Sequence, residues 1–323
     1  MKTTPEGVRL ETLDSLRFIA ALWVAVSHGA IPVRDVTNVL APRMFMASFN
    51  GVAAVVVFFI ISGFCIHLPY AAGKPLIART FLVRRLLRVG LPLLCVQGIT
   101  EVVGGTAATL SRAVLWTIYC ELTYYCIYPL IEKSLSRTRI VSTLAACSLV
   151  ASVMTLLHPE YLRPWQFGAL TWLWGLPIWL SGCYLAVRFV GNTPPVVDVN
   201  IHLLRMSIWG LGAVGTFLAS NASVRIGYPV SMLIFAIPAF VWVARELDEN
   251  RLNGPVLPLL GRAGYSLYLI HPVAIGLTVD MLQASGTLLR LAAPGTAIVI
   301  LTFLFYRLVE APAHDLARRA AGA

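Results

Sequence analysis

Apolar runs long enough to cross a bilayer recur along this chain, separated by short polar connections. A hydrocarbon core about 30 Å thick takes roughly 20 apolar helical residues. Runs of about that length fall at 13–31, 45–67, 86–103, 113–131, 139–157, 167–187, 203–220, 226–244, 257–282 and 290–308. The pattern predicts about ten transmembrane helices and an all-α, polytopic membrane fold. The third run is the least continuous, interrupted by Gly90, Pro92 and Gly98 and followed by Gly104 and Gly105. No connection is long enough for a separate soluble domain. Residues 1–323 therefore read as one integral-membrane domain whose active site must be built from helices and their short links.

The first run, DSLRFIAALWVAVSH (Asp14–His28), breaks its apolar pattern twice, at Arg17 and His28. Eleven helical steps return to within about 20° of the same face and rise about 16 Å. One face thus carries a fixed cation near one end and an imidazole near the other. Ionisable groups within membrane helices are costly and usually face a polar cavity, so the pair predicts a central crevice. The competing reading is a snorkelling arginine and a satisfied core histidine. The leader carries Glu6, Glu11 and Asp14 beside Lys2 and Arg9, which is no basic signal-peptide region, so the first helix is expected to be retained.

Composition agrees with a membrane solvent: 58% of residues are hydrophobic and 12% charged, against about 25% charged in soluble domains. The net charge of +10 is compatible with nucleic acid, but in a membrane protein it marks cytoplasmic loops and anionic headgroups. A lipid bilayer, and no nucleic acid, is the expected partner. With the N-terminus inside, eighteen Lys/Arg fall on cytoplasmic segments and six on outer loops (Arg34, Arg43, Arg112, Arg163, Arg225, Arg290), with Arg17 intramembrane. That bias puts both termini in the cytoplasm. The six cysteines lie in or beside apolar segments without a CxxC pair; they read as small buried hydrophobes, and no metal is expected.

Five further stretches hold candidate chemistry. FFIISGFCIH (Phe58–His67) contains Ser62-Gly63, read either as a small-residue packing notch or as a catalytic serine. Arg79, Arg84, Arg85 and Arg88 form an inner basic cluster suited to phosphate oxygens or lipid headgroups. WTIYCELTYYCIYP (Trp116–Pro129) carries Glu121, the one carboxylate of its span, expected in the outer half of the membrane near the depth of His28. GRAGYSLYLIHP (Gly261–Pro272) aligns Tyr268 and His271 on one face. At Glu310-Ala311-Pro312, a solvated charge pairing with Arg307 is the cheaper reading.

Taken in order, LDSLRFIAALWVAVSH, FFIISGF, RRLLR, WTIYCELTYYCIYP, GRAGYSLYLIHP and YRLVEAP resemble the landmarks of the membrane acyltransferase-3 family. The resemblance spans nearly the whole chain. It implies an enzyme of the bacterial inner membrane that transfers an acyl group, most often acetyl, from cytosolic acyl-CoA to a hydroxyl of a sugar or exported glycan. On that implication Arg84, Arg85 and Arg88 hold the donor phosphates and Arg17 lies along the pantetheine arm. His28 serves as general base or as acyl carrier, and Glu121 orients it. Tyr265, Tyr268, His271 and Trp116 fall to the substrate side, with tyrosine hydroxyls as oxyanion donors. Trp165, Trp172 and Trp174 read as interfacial aromatics. The short third helix and the single glutamate of CELTYY depart from the family pattern and bear on the acceptor. A homo-oligomer is compatible with the sequence.

A different class, the secondary transporter, would use the same His, Arg and Glu as a proton relay or anion site. Transporters often carry a two-fold internal repeat, and the Arg-x10-His pattern has no counterpart five helices later.

Overall fold

The computed structural model describes residues 11–36, 44–45, 48–193, 199–221, 223–249, 252 and 254–322, the side chains of 30–36 excepted. Of the charges used for orientation, Lys2, Arg9, Arg43, Arg251 and the side chain of Arg34 lie outside the described residues. Within them all regular structure is helical. The helices are α1 (Glu11–Val36), α2 (Gly51–Ala71), α3 (Ala78–Val103), α4 (Gly105–Ile131) and α5 (Ile140–Leu157). There follow α6 (Thr171–Val190, entered through a 3₁₀ segment Pro164–Leu170), α7 (Ile201–Ser220), α8 (Tyr228–Glu249), the short α9 (Leu257–Gly261), α10 (Gly264–Met281) and α11 (Thr287–Ala320).

Each of the ten apolar runs overlaps a helix, the ninth being divided between α9 and α10. Among the described residues seven helices (α2, α3, α5, α6, α7, α8 and α11) are long and apolar enough to span a membrane. The other long helices are α1, α4 and α10. They carry Arg17 and His28, Glu121 with its tyrosines, and Tyr265, Tyr268 and His271. The polar groups that single them out also lower their hydropathy.

Burial sorts the helices into an inner and an outer set. α2 is mostly buried, packed against α1, α6 and α8, while α10 is wrapped by α1, α4 and α11. α5 and α11 turn large apolar side chains outward, among them Leu149, Leu156, Val299 and Phe303. In lipid such a surface carries no penalty, and association between helices depends on close packing. The closest approach joins α2 to α6. A Cβ on Gly63 would strike the carbonyl of Trp179, and one on Gly182 would strike that of Ile60. α7 and α8 are tied instead by charge: Arg205 donates to both oxygens of the buried Glu246 at 2.6 and 2.9 Å, and Trp242 Nε1 donates to Oε1 at 2.8 Å.

Two helices change register where the sequence forces it. α3 contains a π-helical turn at Leu86–Gly90 and α11 another at Tyr306–Glu310. Each lies just ahead of a proline, Pro92 and Pro312. Proline lacks the N–H that would meet the carbonyl four residues back, at Arg88 and Leu308, and widening the turn relieves that defect. The chain therefore stays helical through both sites. The basic cluster expected ahead of the third span lies within it, and the last helix runs past the expected end at 308 to Ala320.

Candidate active site

A cavity of about 860 Å³ runs into the bundle between α1, α2, α3, α4, α10 and α11. Arg84, Arg85, Arg88, Arg262, His314 and Arg318 line its mouth. The π turn of α3 brings Arg88 round to donate from Nε to His314 at 3.1 Å. Arg85 lies over the rings of Phe81 and Tyr125, 5.9 Å from each centroid, and its buried Nε makes no hydrogen bond among the described residues. Guanidinium N–H groups left open at a cavity mouth are donors for a ligand anion.

The π turn of α11 turns Glu310 inward, where it is 2% exposed. Its Oε2 accepts from the backbone N–H of Ser266 at 2.9 Å and from the Ser266 hydroxyl. The expected solvated pair with Arg307 does not form; Arg307 stacks on Phe303, 5.6 Å from the centroid. The register change that Pro312 imposes is the physical reason.

Deeper in, Arg17 donates to Asp14 at 2.9 Å and to Cys65 Sγ at 3.0 Å, and all three line the cavity. Asp14 stands three residues before Arg17, on the same helical face, a spacing that could have marked it in the sequence. One turn along α2 from Cys65, the Ser62 hydroxyl donates to Glu121 Oε1 at 2.7 Å. The Tyr125 hydroxyl donates to the same oxygen, and Trp179 Nε1 donates to Ser62 Oγ at 3.2 Å. Glu121 is thus held by a serine and a tyrosine and makes no hydrogen bond to His28. The orientation of His28 by Glu121 expected from sequence is not what the helices bring about.

Phe58, Thr117 and Tyr268 line the far end of the cavity. The Tyr268 hydroxyl meets Thr117 Oγ1 at 2.6 Å and the Val114 carbonyl at 3.2 Å, and its ring packs edge-on against Phe58 at 5.3 Å. Tyr265 donates to the Val89 carbonyl at 2.9 Å, so its hydroxyl is committed to the wall and not free as an oxyanion donor.

His28 and His271 lie beyond this barrier, outside the lining, with His271 6.0 Å from Tyr268 by ring centroids. His28 Nδ1 and His271 Nε2 are 3.1 Å apart, and the rings are nearly parallel. His271 Nδ1 lies 3.1 Å from the Leu267 carbonyl. A carbonyl only accepts, so His271 carries its proton on Nδ1, its Nε2 accepts from His28 Nδ1–H, and His28 Nε2 keeps a lone pair. Trp116 is buried among Trp165, Trp174 and Phe59, at ring separations of 5.9, 6.2 and 6.4 Å. It reaches the cavity only through Phe59, which lines it.

The sequence-predicted groups therefore fall into two sets. Arg17, Arg84, Arg85, Arg88, Glu121, Tyr265 and Tyr268 line one cavity, and His28, His271 and Trp116 stand behind its walls. Sequence reasoning missed Asp14, Cys65, Thr117, Arg262 and His314. Arg262 falls near the start of the ninth apolar run as a charged residue, which was the signal available for it, and His314 lies in a polar stretch beyond the last expected span.

A family model described as an acyltransferase domain covers residues 10–307. No curated protein and no solved structure matches.

Proposed function

The chain belongs to the acyltransferase-3 family, and from that premise we propose that this membrane acyltransferase moves an acetyl group from cytosolic acetyl-CoA to a hydroxyl of a sugar or exported glycan. The observation that carries the proposal is a cavity with an arginine-rich mouth and a partly polar lining that stops one aromatic ring short of a histidine pair. A long, flexible polyanion with its reactive end remote from its phosphates matches that arrangement.

The donor phosphates rest on Arg84, Arg85 and Arg88, whose forked N–H groups suit phosphate oxygens. The pantetheine arm follows Arg17 inward and brings the thioester toward Tyr268. His28 Nε2, unprotonated and half-buried, takes the proton of the acceptor hydroxyl. His271 keeps Nδ1 protonated and holds the imidazolium once formed. Trp116 and Tyr268 shape the acceptor side. With the basic mouth facing the cytosol, as the positive-inside rule requires, the acceptor approaches from the opposite face of the bacterial inner membrane.

The test is transfer from radiolabelled acetyl-CoA to glycan acceptors by purified protein. Loss of a positioned general base costs about 10²–10⁴-fold, so His28→Ala is expected to lower turnover by that factor and leave the donor KM unchanged. Intact turnover in this variant would remove His28 from the chemistry. Flux of a solute across proteoliposomes without acyl-CoA would point to a transporter instead.

A further inference from the structure

We propose that Ser62 is an acyl-accepting nucleophile, activated by Glu121, and that the acyl group rests on it between donor and acceptor. The inference builds on the donor reading above and adds a covalent stage to it.

Activated nucleophiles share a geometry: nucleophile and base within hydrogen-bond reach, and the base held by a third group. Ser62 Oγ donates to Glu121 Oε1 at 2.7 Å, and Tyr125 donates to the same carboxylate oxygen. Trp179 Nε1 donates to Ser62 Oγ at 3.2 Å and fixes the rotamer. Ser62, Glu121 and Tyr125 all line the cavity whose mouth carries the arginines. The packing-notch reading of Ser62-Gly63 belongs to Gly63 alone. That glycine meets the Trp179 backbone, while the serine beside it faces the cavity.

Ser62 Oγ attacks the thioester carbonyl carbon as its proton passes to the Glu121 carboxylate. The carbon–sulfur bond breaks, and the leaving thiolate takes that proton from Glu121. The products are the Ser62 ester and free CoA. An acceptor hydroxyl then attacks the ester, its proton leaving to His28. The Ser62 oxygen recovers a proton from the medium-facing side of the cavity by way of Glu121, and His28 releases its proton to the acceptor side, so that no net proton is gained or lost. No oxidant, reductant or metal enters.

Depth along the bundle supports this hand-over. α1 and α2 run in opposite directions, with Gly51 against Ser27 at one level and Cys65 bonded to Arg17 at another. Ser62 is then about 12 Å short of His28 along the axis counted from the Cys65 level and about 18 Å counted from the Gly51 level, at about 1.5 Å per residue. Helical side chains lean toward the N-terminus of their own helix. His28 on α1 and Ser62 on α2 therefore lean toward each other, which shortens that separation. The stage also explains why the histidines need not touch the donor cavity: the acyl group leaves CoA below Tyr268 and meets the acceptor at its level.

The experiment incubates full-length protein in detergent with [¹⁴C]acetyl-CoA alone, quenches in acid, and maps the label by peptide mass spectrometry. The expected result is one acetyl on the peptide carrying Ser62, stable to neutral hydroxylamine and labile to base. Ser62→Ala and Glu121→Gln abolish it and lower turnover by about 10²-fold or more. Ser62→Cys, which keeps the shape of the site, converts the label to a thioester cleaved by neutral hydroxylamine. His28→Ala loads Ser62 and fails to discharge it to acceptor. Turnover of Ser62→Ala within twofold of wild type overturns the proposal, as does label on His28 with none on Ser62. A wild type that neither labels nor transfers from any acyl-CoA refutes the donor reading itself, and this proposal with it.

Discussion

An imidazole acts as a base only if one ring nitrogen is left without a proton, and here a second histidine decides which. The spacing of Arg17 and His28 was legible in the sequence because both sit on one helix, where 3.6 residues per turn fixes their relation. The partner of His28 was not legible: it is supplied from α10, 243 positions away, and only packing brings the two together. Glu121 drew attention as a lone carboxylate in an apolar span, yet its own neighbours, Ser62 and Tyr125, hold it at 2.7 Å from the serine and away from the histidine. Two residue-level predictions follow from these contacts. His271→Leu removes the acceptor for His28 Nδ1–H and is expected to lower kcat by about 10–100-fold, the worth of a hydrogen bond to a charged group. His271→Gln, whose side-chain oxygen can stand near the lost Nε2, restores most of it. Solid-state ¹⁵N spectra of His28 check the cause, showing the Nδ1–H tautomer in wild type and Gln and a mixture in Leu. At the mouth, Arg84→Gln and Arg85→Gln each raise the acetyl-CoA KM by about tenfold with kcat preserved, since each withdraws one charged hydrogen-bonding group. The same donor titrated across salt concentrations shows whether the contact is ionic.

At the scale of elements, hydrophobic period gave the helices and local chemistry gave their irregularities. Gly90 and Pro92 led to an expectation of a weak third helix. What the chain does instead is widen one turn and continue, because the carbonyl orphaned by proline is served by a π turn. The same device recurs before Pro312. In both cases the turn aims a charged residue, Arg88 or Glu310, at the cavity. The signal was present in LLRVGLP and YRLVEAP, but periodicity alone cannot tell a helix that ends at proline from one that adjusts. Pro92→Ala is expected to let α3 regain regular winding and swing Arg88 away from His314, and donor affinity reports that rotation. The α2–α6 contact offers a sharper test of what holds the bundle. Gly63→Ala sets a Cβ against the Trp179 backbone, and overpacking of this kind costs about 1–3 kcal/mol. A lowered unfolding temperature in detergent, with the partner change Gly182→Ala similarly costly, is the expected outcome. Gly210→Ala, at a position with open space around it, serves as the neutral control.

For the molecule as a whole, the side that the arginine-lined mouth of the cavity faces determines which substrate comes from where. Arg84, Arg262 and Arg318 share that mouth, while the link after α5 holds His158 and Glu160 at the end of the bundle that α5 reaches after running from the mouth side. Basic loops resist translocation, so the positive-inside rule predicts that the mouth side, where Lys and Arg gather, is cytoplasmic. A cytosolic donor therefore requires Ala320→Cys to be shielded from a membrane-impermeant maleimide in intact cells and labelled after permeabilisation. Glu160→Cys, at the opposite end, is expected to be labelled in intact cells above the background of the native cysteines. The reverse pattern would turn the arginine-lined mouth outward, where acyl-CoA is absent. The phosphate assignments of Arg84, Arg85 and Arg88 would then fall together, whatever the chemistry at Ser62 and His28.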